Sequence, residues 1–186
     1  MLSMDFERVL KALLTEFERQ QLRYGVIGGF AMGALGVPRA TMDFDLLVHR
    51  DDLGVLHGLL TSLGYQRRAL TENVSHYSHP QDAWGDVDVL HAFRPASLQM
   101  LQRSRLVPIF GGTQTIRVLA PEDVIGFKVQ AIANNPLRKV QDMADVELLA
   151  AAHGGAMDWS RIQEYYDLFD LGEEGRQLKK RFGDAE

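Results

Sequence analysis

The chain has 186 residues, 46% of them apolar and 24% charged, the composition of an ordinary soluble domain that can bury a core without a disulfide or structural metal. It contains no cysteine, which excludes disulfides, thiolate zinc and iron–sulfur sites and cysteine nucleophiles, and fits a reducing compartment. Twenty Lys and Arg against 25 Asp and Glu give a formal charge of −5, so no overall basic field draws in an extended nucleic acid or an anionic membrane, and a polyanionic substrate would need local positive charge.

Over residues 4–22, Phe6, Val9, Leu10, Leu13, Leu14 and Phe17 recur at three- and four-residue spacing, which predicts an amphipathic helix. Charges run through those apolar positions, leaving neither a signal-peptide core nor a membrane span, and a cytoplasmic location is expected. Residues 24–27 form a short apolar run that ends at Gly28-Gly29, as a strand entering a tight turn does. Residues 30–35 make one or two helical turns, broken by Gly36, Val37 and Pro38. Residues 43–48 open with two acids and continue as a β-prone run, a second strand. Asp51-Asp52 would cap a helix that reaches Leu63 and closes at Gly64.

Residues 65–70 and 74–78 read as two more strands, the latter half-exposed. In Asp86-Val87-Asp88-Val89-Leu90 the acids alternate with aliphatic residues, so a strand there carries both acids on one face. Residues 96–103 are helical, and 106–110 with 114–119 form a hairpin around Gly111-Gly112. Pro121 opens a helix that runs to Ala133; Asn134-Asn135-Pro136 interrupts it, and a second helix covers 137–153. Residues 158–171 are the last amphipathic helix, and the polar tail from Gly172 is expected to fray. Strands in the middle and helices at both ends imply an α+β fold, a small mixed β-sheet flanked by helices over 1–120 with a helical C-terminal region, 121–186, packed on it as one unit.

Asp43 and Asp45, two apart on one strand, project to the same face. Like charges that close raise each other's pKa unless a cation lies between them. Mg²⁺ suits such a site, since it takes one or two carboxylates and completes its shell with water and phosphate oxygens. Asp88 on a neighbouring strand adds a third acid, enough for two ions of the kind that stabilise attacking and leaving oxygens in phosphoryl or nucleotidyl displacement. Asp86 shares the Asp88 face, but Gly85 before it marks the strand's beginning, which favours Asp88. Gly28 and Gly29, at a strand end before a helix, let the backbone approach a phosphate with its N–H groups.

Ile27-Gly28-Gly29, thirteen residues, then Asp43-Phe44-Asp45-Leu46, with Asp88 in a hydrophobic–acid–hydrophobic strand, resembles the nucleotidyltransferase superfamily with the DNA-polymerase-β-like fold. Gly28-Gly29-Phe30-Ala31 with Arg39, Thr41, Asp43 and Asp45 is similar to its minimal bacterial branch, which includes AbiEii-type toxins and the aminoglycoside and lincosamide nucleotidyltransferases. Pro121-Glu122-Asp123 with Lys128, then Arg138-Lys139 with Asp142 and Asp145, resembles the looser later motifs of the AbiEii type. The resemblance covers roughly residues 22–150.

It implies transfer of a nucleotide from an NTP to an acceptor hydroxyl or phosphate, with release of pyrophosphate. The cofactor implied is Mg²⁺, two ions, for which Mn²⁺ can substitute. Asp43 and Asp45 would ligate both ions, and Asp88 would ligate one and help deprotonate the acceptor. Gly28, Gly29, Arg39, Thr41 and Lys128 would serve the nucleotide, with Arg138 and Lys139 as weaker candidates. A small molecule, a protein or an RNA end fits as acceptor. Many relatives have Gly-Ser where this chain has Gly-Gly, which leaves open a non-catalytic nucleotide- or partner-binding member, for instance in a toxin–antitoxin pair.

Simpler readings stand beside these. Lys128 could snorkel from the apolar face of its helix, and Asp142 and Asp145 could form surface ion pairs beside Lys139. His76, His79 and His91 have no zinc pattern around them and are expected to be strand or loop histidines. Tyr77 and Trp84 could stack on a base, yet aromatics in a small sheet are more often core.

Overall fold

The computed structural model describes residues 4–183. The chain divides into two compact units: one holds the chain up to Ala34 together with Pro38–Leu119, the other holds Leu35–Val37 and the chain from Ala120.

All seven strands of the described residues lie in the first unit. In chain order its elements are α1 (Phe6–Arg19), β1 (Tyr24–Val26), α2 (Gly28–Ala34), β2 (Asp43–His49), α3 (Leu53–Ser62), β3 (Gln66–Leu70), β4 (Val74–Ser78), β5 (Asp86–Ala92), α4 (Pro95–Arg103), β6 (Arg105–Ile109) and β7 (Gln114–Val118). The strands form one mixed sheet in the order β3-β4-β5-β2-β1-β7-β6. β2 runs parallel to β5 and antiparallel to β1, and β1 runs parallel to β7. β2 is central, and its Leu46-Leu47-Val48 run is buried on both faces, which is why it reads as continuous rather than alternating. Phe44 meets Phe30 of α2 edge-on, and Phe30 packs in turn on Phe6 of α1, tying both helices to one face of the sheet.

α1 follows its periodicity: Val9, Leu10, Leu13 and Phe17 are buried, and Asp5 caps the helix by accepting from the Arg8 amide. α2 begins two residues before the expected start, so the glycine pair is the first part of the helix rather than a turn ahead of it. Asp52 was expected to cap α3, but it makes no side-chain cap there. Its carboxylate instead binds the Arg23 backbone amide and guanidinium at 2.7–2.9 Å, so both oxygens are taken by three donors, two of them on a cation. Gly64 has φ +97, the left-handed stop anticipated for the end of that helix. β6 and β7 form the expected hairpin.

The second unit is helical: α5 (Pro121–Asn134), α6 (Lys139–His153), α7 (Trp159–Leu168) and α8 (Gly172–Phe182). α8 corrects the expectation of a fraying tail. Its first turn carries Glu173 and Glu174 and its last turn Lys179, Lys180 and Arg181, the distribution that complements the helix dipole. Gly175 lets it lie against Gln163 and Tyr166 of α7, Leu178 is buried, and Arg181 pairs with Glu147 of α6. No described helix is long and apolar enough to cross a membrane.

Candidate active site

The parallel register of β2 and β5 sets Asp43 opposite Asp86 and Asp45 opposite Asp88. Side chains alternate with period two, so all four acids share one face of the sheet, at the end where β1 gives way to α2. Burial, and then the carboxylates of Asp88 and Asp86, push the Asp43 carboxyl above its ordinary value. As a whole residue Asp43 is exposed, so the desolvation of its carboxyl is only partial, whereas Asp45 and Asp88 are half-buried.

Gly28 has φ +67, a conformation that suits glycine, and a Cβ built on it would collide with the carboxylate of Asp45. The backbone and the acid are therefore in direct contact, and a hydrogen bond from the Ile27 amide to the Asp45 carbonyl at 3.0 Å fastens β1 to β2 at this point. Gly28 and Gly29 are the first residues of α2, where helix geometry offers their N–H groups no intrahelical acceptor. At Gly29 a Cβ would come within 2.7 Å of Thr41 Cβ and 2.9 Å of its Oγ1. The Thr41 hydroxyl donates to the Asp43 carbonyl at 3.2 Å, holding the approach to β2. Gly29, Phe30, Arg39, Thr41 and Phe110 line a cavity of about 900 Å³. A second cavity, about 980 Å³ between α1, α4 and the β6–β7 hairpin, includes His49. It thus lies at the far end of β2 from Asp43.

Asp88 has a partner that the sequence did not reveal. His76 of β4 is its antiparallel register partner on β5, and His76 Nδ1 lies 2.6 Å from Asp88 Oδ1. Twelve residues separate the two, and only the strand register joins them. Of the other histidines, His91 is bonded to Ser75 and the Glu72 carbonyl, and His79 stacks on Trp84, while Tyr77 is buried.

Among the described residues no three His, Cys, Asp or Glu side chains converge into a ready metal cage; Asp45 lies over Gly28 and Asp88 is turned to His76. The donor set itself fits a hard divalent cation. It consists of carboxylates on adjacent strands of one face, without thiolate, and the raised Asp43 marks negative charge that a cation would relieve.

Lys128 belongs to the second unit. Its Nζ lies 2.9 Å from Asp142 Oδ1 and 2.6 Å from Asp145 Oδ2, with the lysine side chain only 9% exposed. Arg138 Nε reaches the other Asp142 oxygen at 2.9 Å. Asp142 and Asp145 are thus buried partners of Lys128 rather than surface pairs of Lys139, which faces Glu174 at 3.8 Å. Burial pushes the Asp142 carboxyl up, but hydrogen bonds from Lys128 and Arg138 outweigh it and hold the group below the usual range. Glu122 and Asp123, the acids of the Pro121-Glu122-Asp123 motif, are buried as well. Glu122 accepts from the Asp158 amide at 2.9 Å and Asp123 from the Tyr165 hydroxyl at 2.6 Å.

The sequence model of a family described as "Uncharacterised nucleotidyltransferase" matches residues 3–173. No curated protein matches. Among solved structures, the solution structure of the antibiotic-resistance factor ANT(2'')-Ia is 16% identical, covers 96% of this chain and 99% of its own, and superposes with a TM-score of 0.68. A lincomycin-bound structure of the lincosamide antibiotic adenylyltransferase LnuA is 13% identical over 82% of this chain and 99% of its own, with a TM-score of 0.56. A putative nucleotidyltransferase from Thermotoga maritima is 14% identical over 78% and 96%, with a TM-score of 0.58. At such identities these likenesses establish the fold.

Proposed function

The chain belongs to the family described as uncharacterised nucleotidyltransferases, and on that premise we propose that it moves an NMP group from an NTP to an acceptor hydroxyl or phosphate, with Mg²⁺ and release of pyrophosphate. The observation that carries this reading is the placement of the Asp45 carboxylate directly over Gly28, with Asp88 in register on the next strand. A phosphate brought to the glycine N–H groups there is within reach of acids suited to its cation.

Asp43, Asp45 and Asp88 would hold the metal, two ions in this reading, with Mn²⁺ able to substitute. When bound, the metal supplies the charge neutralisation that lets an acceptor oxygen approach a triphosphate. The glycine N–H groups bind phosphate oxygens. Arg39 and Thr41 line the adjoining cavity and serve the nucleotide there. Asp88, half-buried, takes the acceptor proton. Lys128, with two carboxylates within 2.9 Å, is assigned to holding its own unit together rather than to phosphate. A small-molecule acceptor is favoured, since the structural relatives include one solved with lincomycin and one with adenylyl-2''-tobramycin.

Thermal unfolding with each NTP at millimolar concentration and Mg²⁺ or Mn²⁺ tests the binding half. A rise in Tm that is lost in Asp43→Ala/Asp45→Ala is expected, and no shift with any NTP would count decisively against the reading. Incubation with NTPs labelled at the α-phosphate and candidate acceptors, aminoglycosides and lincosamides first, tests transfer through covalent label on the acceptor.

A further inference from the structure

We propose that His76 is a positioning residue for Asp88, fixing one carboxylate oxygen so that the other stays turned toward Asp43 and Asp45. The inference rests on the nucleotidyltransferase reading of the three acids. It goes beyond it by giving a role to a side chain outside the glycine and aspartate motifs.

Asp45 lies directly against the Gly28 backbone. Asp88 sits on β5, and its carboxylate has a free χ2 rotation unless something holds it. His76, directly across the β4–β5 ladder, supplies the hold through the 2.6 Å contact between Nδ1 and Oδ1. The distance is that of a charge-assisted hydrogen bond, in which the ring N–H donates to the carboxylate. The register makes a row across three adjacent strands, with Asp45 opposite Asp88 and Asp88 opposite His76. An imidazole on the side of Asp88 remote from β2 leaves the β2 side open for a cation. A partner hydrogen-bonded to a metal-ligating carboxylate from outside the site commonly changes metal affinity 10- to 100-fold.

The plainer alternative is an ordinary cross-strand pair on an exposed surface, since the His76 and Asp88 side chains are 47% and 34% exposed. Such a pair adjusts sheet stability slightly and has no bearing on metal. The two accounts separate on substitution. Asparagine keeps a side-chain N–H near the position of Nδ1, whereas phenylalanine keeps the ring and loses the donor.

The experiment is Mn²⁺ titration of the full chain followed by electron paramagnetic resonance, with no nucleotide, beside thermal unfolding of the same samples. The expected result is Mn²⁺ affinity about tenfold weaker in His76→Phe, near wild type in His76→Asn, and a metal-free Tm little changed in both. Equal affinity in wild type and His76→Phe overturns the proposal while leaving the three-acid site intact. Tighter binding in His76→Phe also overturns it, by showing the imidazole to be a competitor for Asp88. If wild type binds no Mn²⁺, the underlying reading of the acids fails first, and the positioning role with it.

Discussion

The carboxylate of Asp45 occupies the space into which a side chain on Gly28 would project, and Gly28 has φ +67. Glycine at 28 is therefore required twice over, by backbone conformation and by the acid above it. The Gly28→Ala variant is expected to lose about 1–2 kcal/mol of stability from the strained φ. It should also lose the nucleotide- and Mg²⁺-dependent rise in Tm, because Asp45 must swing away from the α2 N-terminus. Retention of the full ligand shift would show that the close approach of backbone and carboxylate is not what binds.

Gly29 is constrained differently. No left-handed φ is required there; the limit is Thr41, whose Cβ would be 2.7 Å from a new Cβ. Introducing a serine, Gly29→Ser, should therefore destabilise this chain by about 1–2 kcal/mol through overpacking. Combining it with Thr41→Gly, which removes the opposing Cβ, should recover part of the loss. Chemical denaturation of the four proteins in this cycle gives the coupling energy, and strict additivity would refute the account.

Asp43 carries a linkage consequence. Burial and the neighbouring Asp88 and Asp86 raise its folded-state pKa above that of the unfolded chain. The folded state then holds more protons between the two values, so stability declines as pH rises through that window and the loss is complete above it. Asp43→Asn should raise the metal-free Tm slightly at pH 7, solvent screening keeping the effect small, and this gain should vanish below the ordinary aspartate range. In the wild type, Mg²⁺ binding within the window should release protons, which calorimetry in buffers of different ionisation enthalpy would detect. An unchanged metal-free Tm in the variant at pH 7 would contradict the like-charge picture.

How legible these features were depends on the range of the interaction that makes them. β2 and β5 were readable because apolar runs and turn glycines are local signals, and the acids at 43, 45 and 88 followed from strand periodicity. The His76–Asp88 contact was not, since antiparallel register across a twelve-residue interval is decided by the whole sheet. α8 was missed because the polar composition from Gly172 onward suggests a fraying tail rather than a packed helix. In the structure Gly175 is a contact point, with Tyr166 and Gln163 against its Cα, and the useful signal was the order of charges from Glu173 to Arg181. Asp142 and Asp145 looked like surface acids because their cation, Lys128, comes from a different helix.

That buried group gives the last prediction. Lys128 stands between Asp142 and Asp145, whose side chains are 1% and 8% exposed, so removing the ammonium takes the lysine from both carboxylates in a dry site and leaves Asp142 only its Arg138 contact. Lys128→Met should cost about 3 kcal/mol, or about 6–12 °C in Tm, and adding Asp145→Asn should return much of it. Asp142 titrates below its unfolded value, so its contribution is present above the ordinary aspartate pKa and disappears as pH falls through the lower folded value. The cost of Lys128→Met should accordingly shrink toward that acid limit. A phosphate-binding lysine makes the reverse prediction, an unchanged Tm with a weakened NTP·Mg²⁺ shift, and unfolding curves with and without nucleotide decide between the two.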